Sequence, residues 1–203
     1  MIIKVFVVPF VLACFILSGT GMAMASVTAE VKKAVDEVVK LVSDKELKKP
    51  QNEKKKRKAL RETIETIFDY GEMTKRAIGG HWKELSAPEK KEITGLFQTL
   101  LENSYANKIE SYNNEKVIYL KEDTEDNYSE VKTKIVTVKR DEYSVDYRLM
   151  NKDGRWMVYD VVIEGVSLVS NYRTQFSKII NNQGFKELVK KLRAKNSVEI
   201  KPL

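Results

Sequence analysis

Val31, Val35, Val38 and Val42 recur every three or four residues, with Asp36, Glu37 and Lys40 between them. That period is the signature of an amphipathic helix, and Thr28 stands where its cap would be. Residues 45–58 are crowded with Lys and Arg around Pro50 and read as an exposed loop entering a second helix. The second helix is marked by Leu60, Ile64, Ile67 and Phe68. Asp69 with Glu72 three residues on has the form of a capping box and opens a short third helix through Met73, Ala77 and Ile78, which Gly79-Gly80 ends. Ser86-Ala87-Pro88-Glu89 repeats the capping pattern, with Pro in the first turn where its missing N–H costs nothing. A long helix follows, with Ile93, Phe97, Leu100, Leu101, Tyr105, Ile109 and Tyr112 on one broad face.

After Asn113-Asn114 the period changes from helical to two. Segments 116–121, 130–139, 142–150 and 155–163 read as strands. The clearest alternation sets Tyr143, Val145, Tyr147 and Leu149 against Ser144, Asp146 and Arg148. Asn151-Lys152-Asp153-Gly154 is turn chemistry and joins the last two strands in a hairpin. Helical spacing returns after Gly165 with Leu168, Tyr172, Phe176 and Ile179, and again with Phe185, Leu188, Val189 and Leu192. Helices, then four strands, then helices predict an α+β fold, with the helices on one face of a four-stranded antiparallel meander sheet.

The first 25 residues are of another kind. Lys4 is their only charge, Val5 to Leu17 is a 13-residue apolar run, and Ala23-Met24-Ala25 has the A-x-A form of a cleavage site. A membrane-spanning helix needs about 20 apolar residues. Residues 1–25 therefore read as a secretory signal peptide, and residues 26–203 as a single domain. Cys14, the only cysteine, falls in the segment removed. A chain without it has neither disulfides nor thiol chemistry. Cleavage would also remove Lys4 and take the formal charge from +7 to +6. For an exported protein such a surface suits anionic lipid or an acidic protein better than nucleic acid. The lysine run at 45–58 has two readings, a headgroup-facing patch or a solvated face, and the second is the plainer.

Catalytic constellations are scarce. His81 is the only histidine, and a hydrogen bond holding its turn is the plain reading of it. No second histidine stands ready for a metal or nucleophile site, and neither a Gly-rich phosphate loop nor a G-x-S-x-G or H-E-x-x-H motif is present. Glu122-Asp123 and Glu125-Asp126 read as solvated residues of a loop between strands. No catalytic residue, metal or cofactor is expected.

Several segments together resemble the MlaC family, the toluene-tolerance or Ttg2-type periplasmic lipid-binding proteins. They are Phe68-Asp69-Tyr70-Gly71-Glu72-Met73-Thr74-Lys75-Arg76-Ala77-Ile78-Gly79, His81-Trp82, and Leu96-Phe97 with Tyr105 and Ile109-Glu110-Ser111-Tyr112. Further on they are Val145-Asp146-Tyr147-Arg148-Leu149, Trp156-Met157-Val158-Tyr159-Asp160-Val161, Glu164-Gly165-Val166-Ser167-Leu168 and Asn171-Tyr172-Arg173-Thr174-Gln175-Phe176. The resemblance covers about residues 60–193 and leaves the lysine run out.

It implies a periplasmic phospholipid carrier working between an outer-membrane lipoprotein complex and an inner-membrane ABC transporter with a membrane-anchored substrate-binding subunit. It implies an apolar pocket between sheet and helices. On the strands the pocket candidates are Val145, Tyr147, Leu149, Val158 and Val161, and Leu168 opens the helical stripe that follows them. On the helices they are Phe97, Leu101, Tyr105, Tyr172 and Phe176. Arg76, Arg148 and Arg173 interrupt apolar patterns in the matched segments, so they are expected to be exposed and to contact partners; plain solubility is their other reading. Related sequences are associated with hopanoids too, so the lipid class stays open. Two alternatives remain: an enzyme on a cone-shaped fold like that of nuclear transport factor two, with His81 beside a carboxylate such as Asp160, and a ligand-free adaptor.

Overall fold

The structure is a computed structural model and describes residues 26–199. The expected signal peptide, Cys14 included, lies outside the described residues. In order the elements are α1 (Val27–Ser43), α2 (Glu53–Glu65), α3 (Tyr70–Ile78), α4 (Ala87–Glu110), β1 (Lys116–Glu125), β2 (Tyr128–Val136), β3 (Glu142–Lys152), β4 (Arg155–Ile163), β5 (Val166–Ser167), α5 (Leu168–Gln183) and α6 (Phe185–Glu199). Short 3₁₀ segments, Pro50–Asn52 and Gly79–Glu84, precede α2 and follow α3.

Most boundaries follow from capping chemistry. The Ser86 hydroxyl and the Glu89 carboxylate cap α4 reciprocally. The Asp69 carboxylate accepts from the Glu72 amide at 2.9 Å and opens α3, and Gly79, at φ 65°, closes it. The cap of α1 is Ser26, whose hydroxyl accepts from Ala29 N–H. Thr28, expected in that role, instead donates its N–H and its hydroxyl to the Glu122 carboxylate at 2.7 and 2.6 Å. Glu122 can reach it because β1 runs on to Glu125. The segment expected to be a polar loop is thus strand, and Glu122 ties α1 to the sheet.

The sheet has five antiparallel strands in the order β1-β2-β3-β4-β5, one more than expected. Strand β5 pairs Val166 with Ile163 and Ser167 with Val162. Glu164 and Gly165 both take positive φ, 49° and 76°, so β4 folds back in two residues with the twist that favours tight hairpins. Two residues give no periodicity to read, which is why the fifth strand is silent in the sequence.

Helices α1, α3 and α5 lie on the inner face of the sheet, and α4 and α6 pack on α3 and α5 beyond them. The outer face carries Glu130, Lys132, Arg148 and Tyr128 and faces water. Two apolar clusters result. One joins the helices through Met73, Ile78, Ile93, Phe97, Leu100, Phe176 and Leu188. The other joins the sheet to α1 through Val27, Val31, Val131, Leu149, Trp156 and Val158. Phe68 touches both. It is held there by the backbone: Asp69 N–H donates to Val158 C=O at 2.9 Å, and Val158 N–H donates to Ile67 C=O at 2.7 Å.

Candidate functional site

On β3 the alternation places Val145, Tyr147 and Leu149 on the inner face, within the sheet cluster. Asp146 and Arg148 take the other parity. On β4 the expected inner residues, Val158 and Val161, are three apart, which a regular strand cannot put on one side. A bulge resolves it: Leu149 pairs with Val158 and Arg148 with Asp160, so Tyr159 is extra. The bulge shifts β4 by one residue and keeps both valines inward.

On α4, Phe97, Leu101 and Tyr105 stack at four-residue intervals, as do Leu168, Tyr172 and Phe176 on α5. The two rows meet through aromatic contacts. Phe97 lies edge-on to Tyr172 and to Phe176, with ring centroids 5.1 and 5.3 Å apart. Such pairs contribute about 0.5–1.5 kcal/mol beyond simple burial.

The eleven pocket candidates divide by cluster. Phe97, Leu101, Tyr105, Tyr172 and Phe176 belong to the helix cluster, and Val145, Tyr147, Leu149, Val158, Val161 and Leu168 to the sheet cluster. They also divide by depth. Phe97, Leu101, Leu149, Val158, Val161 and Phe176 are buried. Tyr105, Val145, Tyr147, Leu168 and Tyr172 are half-buried. The half-buried five come from the last turns of α4, the first turns of α5 and the leading half of β3. The two concavities described lie elsewhere. One follows the outer side of α1 along Lys32, Asp36 and Lys40, and the other, about 480 Å³, lies on the outer sheet face beside Tyr128, Arg148 and Tyr159.

Residues not among the pocket candidates belong to the same region. Val35, Tyr119 and Ile163 are half-buried and pack against the sheet cluster. The Tyr119 hydroxyl is buried with no hydrogen-bond partner among the described residues. Burial raises its pKa, with Tyr147 and Asp36 nearby adding to the shift. Burial likewise pushes the Tyr147 hydroxyl up to about 12. Tyr119 was legible: it follows Val117 by two and continues the inner parity of β1.

Two of the three arginines, Arg76 and Arg148, are less exposed than expected. Arg173 is exposed. Arg76 is half-buried, pairs with Glu72 at 2.9 Å and lies over the Tyr159 ring at 4.0 Å. Arg148 bridges Glu130 at 3.0 Å and the buried Asp160 at 3.4 Å. Their internal partners draw Arg76 and Arg148 to the same tyrosine, Tyr159. Arg173 packs against Gly79, one turn beyond Arg76.

His81 and Asp160 have separate partners. His81 Nε2 bonds Asn181 Oδ1 at 3.0 Å. Asp160 accepts from the Ser167 hydroxyl at 2.6 Å and from Val169 N–H at 3.0 Å, and so fixes the start of α5. A catalytic pair between them is not formed. No group of three or more potential metal-ligating residues occurs among the described residues.

The model of the MlaC protein family matches residues 32–194. The chain belongs to the MlaC family. A curated relative is the intermembrane phospholipid transport system binding protein MlaC of Haemophilus influenzae, 25% identical over 199 residues, spanning 96% of this chain and 93% of that one. A solved structure, the phospholipid-binding protein of Ralstonia solanacearum in complex with a phospholipid, matches with a TM-score of 0.80 and 27% identity. It covers 87% of this chain and is itself covered completely. Among the described residues no helix is long and apolar enough to cross a membrane.

Proposed function

We propose that this MlaC-family chain is a phospholipid carrier of the periplasm, with the acyl chains held in a cleft between sheet and helices. The observation that carries the reading is the relative that holds a phospholipid on the same fold at 27% identity. The half-buried apolar residues of β3, α4 and α5 support it and suggest where the cleft opens. Tyr105, Val145, Tyr147, Leu168 and Tyr172 border the mouth. Phe97, Leu101, Leu149, Val158, Val161 and Phe176 form the closed end. The Tyr119 hydroxyl, without a partner among the described residues, fits the same use, since a lipid ester carbonyl would accept a hydrogen bond from it. A buried donor left without an acceptor costs about 1–3 kcal/mol.

The work is transfer rather than catalysis. Each buried CH₂ is worth about 0.8 kcal/mol, so two chains of roughly 16 carbons gain about 25 kcal/mol from an apolar surround. A cleft that replaces most of the bilayer's contribution makes exchange nearly isoenergetic, and direction comes from partner complexes at the two membranes. Arg173, and Arg76 and Arg148 beside Tyr159, are the proposed docking side chains. Export follows the signal-peptide reading, and sequencing of envelope protein is expected to begin at Ser26; a start at Met1 would contradict it. Mass spectrometry of an organic extract of purified protein tests the carrier reading. Diacyl phospholipid at a constant ratio to protein is the expected result. An extract empty of lipid would favour the ligand-free adaptor.

A further inference from the structure

The lysine run takes a definite place in the fold. Residues 44–58 hold eight Lys or Arg against three Asp or Glu, an excess of five in a chain whose total excess is seven. Some of that charge is spent internally. Lys49 pairs with Glu46, Lys56 and Arg57 with Glu110, and Lys58 with Glu62. Lys45, Lys48, Lys54 and Lys55 are exposed and form no ion pair among the described residues. Asp44, near Lys55, is already engaged by the Glu46 and Leu47 amides.

Two of these lysines sit where helix electrostatics disfavours them. Lys54 and Lys55 lie in the first turn of α2, at the positive end of its dipole, where acidic residues are the stabilising choice. Glu53 in the same turn and Asp44 near Lys55 offset part of that cost, and both lysines still stand exposed in the solvent.

The patch lies at the open end of the proposed cleft. Helix α1 is anchored to β1 at Thr28, passes Tyr119 near Asp36 and ends at Ser43, so residues 44–49 follow directly. Helix α2 then runs antiparallel to α4, stitched by Lys56 and Arg57 to Glu110, Arg61 to Glu102 and Gln98 to Glu65. Its basic first turn is thereby held at the last turn of α4, next to Tyr105.

The chemistry of the patch identifies its partner. Residues 44–58 contain no aromatic residue and no Met, and their one arginine is already paired. Protein interfaces are enriched in Tyr, Trp, Met and Arg and depleted in Lys. Lysines are point charges on flexible stems, without the fixed fork that recognises one carboxylate geometry. They suit a laterally fluid array of phosphates. We propose that this cap docks on an anionic bilayer surface and sets the mouth of the cleft against the headgroups. The purpose of the docking rests on the carrier reading; the docking itself does not.

Vesicle co-sedimentation tests it. Purified protein is mixed with neutral phosphatidylcholine vesicles and with vesicles containing about one-third phosphatidylglycerol. Each lysine close to an anionic leaflet strengthens binding by about fivefold. The wild-type protein is expected to bind the anionic vesicles alone, and to release as sodium chloride rises toward 0.5 M. Reversal of Lys45, Lys48, Lys54 and Lys55 to Glu is expected to weaken binding by more than about 100-fold. If that variant fails to fold, Lys54→Gln with Lys55→Gln is expected to lose about 25-fold on the same scale. Reversal of Lys178, Lys186, Lys190 and Lys191 serves as control. Lys186 lies near Glu89 at the far end of α4, and these four are expected to matter about threefold at most. Wild-type protein that ignores anionic vesicles, or a cap variant that binds them as well as wild type, would overturn the proposal. So would a cap variant that keeps vesicle binding and loses only an acidic protein partner. The lipid content of each sample is measured in parallel. A lipid-free protein that still needs its cap to bind vesicles would remove the carrier reading and leave the docking surface standing.

Discussion

Leu149 and Tyr147 stand two residues apart on the same face of β3 and have different surroundings. Leu149 has no accessible surface, while Tyr147 is half-buried. The alternation that puts both inward is plain in the sequence. Their depth is not, because it depends on where the helices packed on the inner face end over the sheet. Substitutions should separate the two regions. Leu149→Ala leaves a cavity in close-packed surroundings and is expected to cost about 2–5 kcal/mol, read as a lowered melting temperature. Val145→Trp, at the open end, is expected to keep the fold and lower the ratio of bound lipid to protein. A Val145→Trp protein that melts early while holding a full lipid load would show that this end is ordinary core. The arginines carry a related lesson. Interruption of an apolar pattern marked Arg76 and Arg148 as outward, but not the Glu72 and Asp160 carboxylates that hold them half-buried.

At the scale of elements, the helices were legible where capping residues and a 3.6-residue period agreed, as in α3 and α4, and α5 was legible from its period alone. The misses came from contacts distant in sequence. Thr28 looks like a cap until Glu122, 94 residues on, takes its hydroxyl. The bulge at Tyr159 is set by pairing across to β3 and leaves no mark in the local pattern. One long-range contact ties the start of α3 to the sheet and carries a pH signature. Asp69 is partly buried, which by itself would raise its pKa. The Lys152 ammonium at 2.9 Å and the Glu72 amide outweigh burial and hold the carboxyl below its usual value. The same contact raises Lys152. A depressed folded pKa contributes stability that is present above the unfolded value, about 3.9, and is lost as pH falls through the folded one. Wild type is therefore expected to lose more melting temperature than Asp69→Asn as pH is taken from 5 toward 2. Parallel curves for the two proteins would show that the pair contributes nothing.

For the whole molecule, the order of helices, meander and helices predicts the α+β class and helices on one face of the sheet, but neither the fifth strand nor the second helical layer of α4 and α6. What the pattern could not separate was lining from core, since an apolar side chain facing a lipid and one facing another side chain obey the same periodicity. The family match over residues 32–194 and the phospholipid-bound relative move that balance. The central claim is that acyl chains lie between the inner face of the sheet and helices α4 and α5. A phospholipid carrying a diazirine on one acyl chain, loaded into the protein, photolysed and mapped by peptide mass spectrometry, tests it most directly. Adducts confined to residues 97–105, 145–149 and 168–176 are the expected result. Adducts gathered on residues 123–130 of the outer sheet face, or on the Lys32 side of α1, would contradict it.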